Sequence, residues 1–116
     1  MKLILAIIQP TKLQAVREAL AKINVERLTV LDAQGYARQR GQQTATFRGA
    51  EYKVDLLRKV TLEIAVNDDF LERTIETIEQ VARSGPHGEF GDGNIFVLPL
   101  DECYQIDGPN KGKSAI

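Results

Sequence analysis

Hydrophobic and polar positions follow two different periods along this chain. One segment is a continuous apolar run and another alternates polar with apolar residues, and both patterns are typical of strands. Two longer segments carry apolar residues at helical spacing, with charged residues on the opposite side. The pattern predicts six elements, namely strands at 3–8, 27–33, 59–66 and 94–98 and helices at 12–23 and 70–82.

Short polar residues mark the predicted helix starts. Pro10 ends the first strand because it has no backbone N–H to donate. Thr11 is predicted to cap the first helix. Asn67, Asp68 and Asp69 supply capping groups and negative charge where the second helix begins.

Residues 37–55 fit neither period. They contain a run of polar or flexible residues: Arg38, Gln39, Arg40, Gly41, Gln42, Gln43, Thr44 and Thr46. A connection of this length in a small domain is uncommon and is usually functional or mobile. The sequence therefore predicts a long mobile loop at 37–55 that carries the output of the protein.

The predicted element order is β-α-β, long loop, β-α-β. Two such units side by side form an α+β, ferredoxin-like βαββαβ domain with both helices on one face of an antiparallel sheet. We assign the domain to residues 1–107 and expect a flexible polar tail at 108–116. Apolar positions such as Leu5 and Leu62 are expected on the open face of the sheet, where oligomerisation would cover them.

Composition excludes several classes of protein. The 116 residues suit one domain, and the formal net charge of -1 argues against a nucleic-acid partner. The strands at 3–8 and 60–66 have no aromatic residue on which RNA bases could stack. No apolar stretch is long enough for membrane insertion, and the single cysteine, Cys103, fits a reducing, cytoplasmic location and is expected to be buried. No Cys–His or Ser–His constellation points to an enzyme.

Five short segments occur in a characteristic order: Ala6-Ile7-Ile8-Gln9-Pro10, Val16-Arg17-Glu18-Ala19-Leu20, Gly35-Tyr36-Ala37-Arg38-Gln39, Arg48-Gly49-Ala50-Glu51-Tyr52 and Gly91-Asp92-Gly93-Asn94-Ile95-Phe96-Val97. Together they resemble the PII signal-transduction family (nitrogen regulatory protein PII) over about residues 1–106. The third and fourth segments resemble the base and tip of the family's signalling loop. The last resembles its glycine-rich phosphate-binding stretch.

The resemblance implies a homotrimer that binds adenine nucleotides in the clefts between its subunits. ATP or ADP is the implied ligand, with Mg²⁺ and 2-oxoglutarate as further effectors in the regulation of nitrogen utilization. The loop is then expected to dock on a membrane transporter or a metabolic enzyme. The implied nucleotide-binding residues are Thr29, Arg38, Ala65, Gly91, Asp92, Gly93 and Asn94. Gln39 resembles the Mg²⁺ ligand and Lys59 the partner of the 2-oxoglutarate carboxylate.

The glycine-rich stretch also has a physical interpretation of its own. Gly91 and Gly93 let the backbone approach an anion closely, so that backbone N–H groups can point at it. The alternative is a tight turn between a helix and a strand. The family context favours the phosphate-binding interpretation.

The sequence departs from the family where cations are expected. Asn94, Gln105 and Asp107 stand at positions that usually hold Lys or Arg in the family. This leaves open a divergent regulator that binds ADP, AMP or bicarbonate, or one that has lost ATP binding and regulates a transporter or a carbon-related target. His87, in a loop longer than usual, either is solvent-exposed or replaces part of the missing charge when it is protonated.

Two roles are open for the residues near the loop tip. Tyr52 resembles a nucleotidylation site of many family members. Alternatively, Tyr52, Phe47 and Arg48 anchor a partner protein, because aromatic residues and arginine dominate interface energetics.

Overall fold

The computed structural model describes the backbone of residues 1–47 and 50–116, and the side chains of residues 1–35 and 57–116. Its main elements are β1 (Lys2–Ile8), α1 (Leu13–Lys22), β2 (Thr29–Phe47), β3 (Ala50–Val66), α2 (Asp68–Ala82) and β4 (Gly93–Pro99), with short 3-10 helices at Pro10–Lys12 and Gly112–Ala115. The sheet is antiparallel with strand order β2-β3-β1-β4. The predicted α+β, ferredoxin-like βαββαβ fold is confirmed.

The core lies between one face of the sheet and the two helices. Strand alternation sends every second residue of β1 and β3 into it, because successive side chains of a strand point to opposite faces. The buried hydrophobic residues are Ile4, Ala6, Ile8, Val16, Leu20, Val25, Val60, Leu62, Ile64, Val66, Ile78 and Ala82. Thr74 is buried among them, and its hydroxyl donates to the carbonyl of Phe70 at 2.7 Å.

The predicted placement of Leu62 on the open face is wrong. Leu62 is 0% exposed and pairs in the sheet with Ala6, which also faces the core. Leu5 is half-buried and alternates to the opposite face, as expected. Its cross-strand neighbour there is Phe96, which is 49% exposed. The described part of the open face therefore carries an apolar stripe, with Leu3, Leu5, Ile7, Leu31, Phe96 and Leu98 along it.

The strands β2 and β3 extend through most of the segment for which the sequence predicts a loop. The two strands stay paired from Thr29↔Glu63 to Phe47↔Ala50, with one shift of register between Arg40 and Ala45. Residues 37–47 and 50–55 are thus strand residues within the predicted loop, and the mobility of this segment stays a prediction. Backbone hydrogen bonds form the ladder, and they need no apolar period in the side chains. We call residues 37–47 and 50–55 the hairpin, because there β2 and β3 pair only with each other, whereas β1 pairs with β3 only from Val60 onward.

The two ends of the chain have defined contacts. Residues 108–116 fold back through a bridge between Tyr104 and Lys111 and a hydrogen bond from the Gly112 N–H to the Cys103 carbonyl, 2.7 Å. The flexibility expected for this tail stays a prediction. At the other end, the N-terminal ammonium of Met1 lies 3.0 Å from a carboxylate oxygen of Asp68, and this contact lowers the pKa of Asp68.

Helix capping differs from the prediction. Thr11 lies inside the 3-10 helix, and Lys12 occupies the cap position of α1. Asn67 is at the cap position of α2 as predicted, but its side chain makes no capping hydrogen bond. Asp68 and Asp69 lie in the first turn of α2, where the helix dipole favours negative charge. In the part of the chain that the structure describes, no helix is both long and apolar enough to cross a bilayer.

Candidate functional site

A cleft of about 530 Å³ brings together residues that are far apart in the sequence. Its lining includes residues 91–94, which we call the glycine turn, and Lys59 from β3. The sequence predicts a ligand-binding role for the glycine turn and for Lys59. The remaining lining residues are Ile7, Gly35, Leu57, Glu89 and Phe90. The cleft lies where the hairpin leaves the body of the sheet.

The glycine turn begins β4 in a conformation that only glycine adopts without strain. Gly93 has φ of +123°, and a Cβ atom there would lie 1.7 Å from the carbonyl oxygen of Ile7. Gly93 pairs with Ile8 of β1, so its backbone cannot retreat without breaking the sheet. Gly91 also has a positive φ, +98°, but its missing side chain faces open space. Residue 93 must thus be glycine because any side chain there would collide with the backbone of β1. At residue 91, glycine is favoured by the backbone conformation alone.

Asp92 organises the loop that precedes the turn. Its Oδ2 accepts hydrogen bonds from the backbone N–H groups of Ser84 (2.9 Å) and Glu89 (2.8 Å), and its Oδ1 accepts one from Gln9 Nε2 (3.3 Å). The bonds from Ser84 and then Glu89, with a smaller contribution from the charge of Lys12, lower the pKa of Asp92 to about 2. The Asp92 N–H donates to the Glu89 carbonyl at 3.2 Å. Asp92 therefore holds residues 84–92 together, and its carboxylate accepts three hydrogen bonds from within the chain.

Acid is expected to release this loop only well below neutral pH. Because folding lowers the pKa of Asp92 from 3.8 to about 2, its stabilising contribution is complete above pH 3.8 and is lost as the pH falls towards 2. The NMR signals of the Ser84 and Glu89 amides should shift with a midpoint near pH 2. The Asp92→Asn variant should lack that transition. A wild-type midpoint near pH 4 would show that the carboxylate does not hold the loop.

The carbonyl oxygen of Gly91 accepts two side-chain donors. Lys59 Nζ donates to it from the cleft, and Gln9 Nε2 donates to it at 3.4 Å from the end of β1. Both side chains are partly buried. Lys59 is thus positioned by the glycine turn itself and lies where an anion in the cleft could reach it.

The charge of the cleft is unusual for an anion site. Of its described side chains, one is cationic, Lys59, whereas Glu89 and Asp92 carry negative charge. Asn94 is exposed and neutral. Coulomb repulsion from two carboxylates acts against a highly charged anion at this place.

The other predicted nucleotide-binding residues lie elsewhere in the same chain. Ala65 pairs with Leu3, five residues along β1 from Ile8, the partner of Gly93. At about 3.4 Å per residue, this separates Ala65 from the glycine turn by about 17 Å. Thr29 pairs with Glu63, two residues from Ala65 along β3. Ala65 lines a second cavity of about 330 Å³ together with residues 24–27.

Several predicted site residues lie outside the part whose side chains are described. These are Arg38, Gln39, Phe47, Arg48 and Tyr52. Among the described side chains, no three His, Cys, Asp or Glu residues cluster as a metal site. The role of Gln39 as a Mg²⁺ ligand therefore stays a prediction.

The remaining residues raised by the sequence are described. His87 is exposed, in agreement with a surface loop. Cys103 is half-buried and not fully buried as expected. The Gln105 side chain accepts a hydrogen bond from Asn110 Nδ2 at 2.9 Å, and Asp107 is exposed. In one chain, none of these four residues lines the 530 Å³ cleft.

Sequence reasoning missed three contributors to the site. Gln9 was noted only as part of a motif, although a polar residue at the end of an apolar strand is a signal for a tertiary hydrogen bond. Phe90 is 79% exposed and lines the cleft, and Ser84 anchors the Asp92 carboxylate. No local pattern could have shown the role of Ser84, because its partner is eight residues away in an irregular loop.

Comparison with known proteins agrees with the fold and shows the family. The family model described as "Nitrogen regulatory protein P-II" matches residues 1–109. The nitrogen regulatory protein P-II of Azospirillum brasilense is 47% identical over 116 residues, which cover all of both chains. The nitrogen regulatory protein GlnK1 of Methanosarcina mazei is 47% identical over all of this chain and 97% of its own. The solved structure of GlnK from B. subtilis superposes with a TM-score of 0.79 over 99% of this chain and 97% of its own, at 24% identity, which supports the fold alone.

Proposed function

Because the chain belongs to the nitrogen regulatory protein P-II family, whose members are signalling regulators of nitrogen metabolism and not enzymes, we propose that it senses an adenine nucleotide and reports it to a partner protein. The observation that carries the proposal is the cleft in which Lys59 meets the glycine turn. The hairpin leaves the sheet beside this cleft, at Gly35 and Leu57. A ligand bound in the cleft would therefore lie next to the residues from which the hairpin extends.

We infer that the nucleotide site is completed by a second copy of the chain. One chain divides the predicted residues into two groups, because Ala65 lies about 17 Å along the strands from the glycine turn and Thr29 lies on β2, at the opposite edge of the sheet from β4. In a closed ring of identical subunits, one group from each of two neighbours can face the same ligand. The apolar stripe on the open sheet face, which includes Leu5 and Phe96, is the surface that such a homotrimer would bury.

Lys59 is proposed to bind the carboxylate of 2-oxoglutarate. Its ammonium lies in the cleft on a flexible stem and has only a neutral carbonyl as its described partner. A carboxylate would form a stronger, charge-assisted hydrogen bond with it. Mg²⁺ would be coordinated by the side-chain oxygen of Gln39 and by phosphate oxygens of ATP.

The hairpin is proposed as the output element. Its docking target would be a membrane transporter or a metabolic enzyme in the cytoplasm. Phe47, Arg48 and Tyr52 near its tip would anchor the partner, and Tyr52 is a candidate for modification. The excess of carboxylates in the described cleft favours ADP or AMP over ATP as the resting ligand, while the family relationship favours nitrogen regulation over a carbon-related role.

Calorimetric titration tests the sensor proposal. We expect the purified protein to bind ADP and ATP, and to bind 2-oxoglutarate only when ATP and Mg²⁺ are both present. Lys59→Met should abolish the response to 2-oxoglutarate and leave ADP affinity within about threefold, because the adenine contacts remain. A nearby exposed cation, Arg58→Met, serves as the matched control.

Two results would contradict the sensor proposal. One is the absence of binding to any adenine nucleotide. The other is a monomer in size-exclusion chromatography with light scattering, since a single chain leaves the predicted nucleotide residues in two separate groups. A trimer that binds bicarbonate but no nucleotide would support the divergent alternative instead.

A further inference from the structure

The glycine turn is fastened to the body of the domain through one carbonyl group. The Gly91 oxygen accepts Lys59 Nζ from one side and Gln9 Nε2, at 3.4 Å, from the other. A carbonyl oxygen has two lone pairs, so both donors can be served at once. The same Gln9 amide also lies 3.3 Å from Asp92 Oδ1. Gln9 thus donates both to Gly91 of the glycine turn and to Asp92, whose carboxylate holds the preceding loop.

The two donors differ in what else they could bind. Lys59 is a charged side chain inside the cleft and would prefer an anionic ligand to a neutral carbonyl. Gln9 is neutral, half-buried and outside the cleft lining. When Lys59 turns to a ligand, the Gly91 carbonyl would lose a donor in a partly buried place, which is costly unless another donor remains.

We propose that Gln9 is a positioning residue of the candidate site: it retains the Gly91 carbonyl when Lys59 leaves it for an anion, and so keeps the glycine turn in place during binding. The step that involves an anion rests on the proposed function. The two hydrogen bonds from Lys59 and Gln9 to the Gly91 carbonyl do not depend on the proposed function.

Charged groups around Gly91 do not remove the need for Gln9. The ionised side chains of Asp92 and Glu89 are carboxylates, which accept hydrogen bonds and cannot donate one to the Gly91 carbonyl. Lys12 lies close enough to Asp92 to lower its pKa, but Lys59 and Gln9 are the donors to Gly91 among the described side chains. Removing both donors should therefore free the turn, while removing either one should not.

Amide hydrogen exchange of the ligand-free protein tests the sharing. The readout is exchange at the N–H groups of Ser84, Glu89 and Asp92, all of which are hydrogen-bonded within the loop. Gln9→Met and Lys59→Met should each change it by less than about threefold, and the double variant should speed it at least tenfold. Gln14→Met, an exposed glutamine whose Nε2 donates to Glu18 at 3.0 Å, is the matched control.

A ligand experiment tests the positioning role. With ATP and Mg²⁺ present, adding 2-oxoglutarate should leave loop exchange unchanged in the wild type. In Gln9→Met, it should speed exchange at least tenfold, because the ligand withdraws Lys59, the one donor to Gly91 left among the described side chains. A purely structural Gln9 would not make loop exchange depend on the ligand.

Each outcome decides between the possibilities. If loop exchange in Gln9→Met is as fast as in the double variant, or if the double variant exchanges as slowly as Gln14→Met, then Lys59 and Gln9 do not share the task of holding the Gly91 carbonyl. If the double variant loosens the loop but 2-oxoglutarate has no effect on loop exchange in Gln9→Met although it binds, the positioning role is wrong. If wild type binds no 2-oxoglutarate at all, the effector part of the proposed function fails, and the anion step fails with it, while the sharing stands on the ligand-free result.

Discussion

Replacing Gly93 with alanine is expected to destabilise the domain by about 3 kcal/mol or more, among the larger effects of single substitutions. The new Cβ atom would lie 1.7 Å from the carbonyl oxygen of Ile7 and 2.8 Å from its carbonyl carbon. These are backbone atoms of β1, which is paired on both sides, with β3 and with β4. The conflict cannot be relieved by a side-chain rotation.

Strain in the backbone adds to this steric conflict. Gly93 has φ of +123°, in a region that residues with a Cβ atom rarely occupy. If alanine moved to a negative φ instead, β4 would lose its first pairing with Ile8 and the glycine turn would change shape. Either response should reduce nucleotide affinity together with stability.

Gly91→Ala separates the two causes. Gly91 has φ of +98°, but no atom of the described residues lies within 4 Å of a Cβ built there. It should cost about 1–2 kcal/mol, the usual cost of a strained backbone conformation. Urea unfolding followed by circular dichroism measures both variants at equal protein concentration. Equal losses for the two variants would mean that the close approach to Ile7 does not limit residue 93.

The elements of the domain could be predicted because their side chains carry the period of the element. The alternation at Val60, Leu62 and Ile64 predicts a strand with one buried face, and the structure has that strand. The same alternation puts Leu62 on the buried face with Val60 and Ile64, so its expected place on the open face conflicted with the period of its own strand. The strands of the hairpin carry no period, because their partner is only each other.

The candidate site could be predicted in part. Its glycines are recognisable because Gly91 and Gly93 need a backbone that other residues avoid. The meeting of Lys59 with Gly91 depends on the β2-β3-β1-β4 order, which a resemblance can imply but local patterns cannot. The use of Asp92 as a loop organiser was missed because a carboxylate next to two glycines looks like a ligand contact.

Introducing a cation at Asn94 is expected to raise ATP affinity at least tenfold. Asn94 lines the cleft, is exposed, and is the last residue of the glycine turn, at the start of β4, so a longer side chain can enter without displacing the core. A charge-assisted contact contributes about 1.5–3 kcal/mol, and 1.4 kcal/mol corresponds to tenfold in affinity. The described cleft has one cation, Lys59, so the added charge should act on a phosphate that is poorly neutralised.

The gain should depend on the charge of the ligand and on the position of the lysine. Asn94→Lys should favour ATP over ADP and ADP over AMP, and the gain should shrink in high salt because ions screen the interaction. Asn94→Gln adds length without charge, and Gln80→Lys adds the same charge on the exposed side of α2. Calorimetry with the three nucleotides measures each variant. Equal gains in affinity for ATP and AMP would contradict a triphosphate held at the glycine turn, because only ATP has phosphates beyond the first. An equal gain in ATP affinity from Gln80→Lys would contradict it too, because that lysine lies on the exposed side of α2.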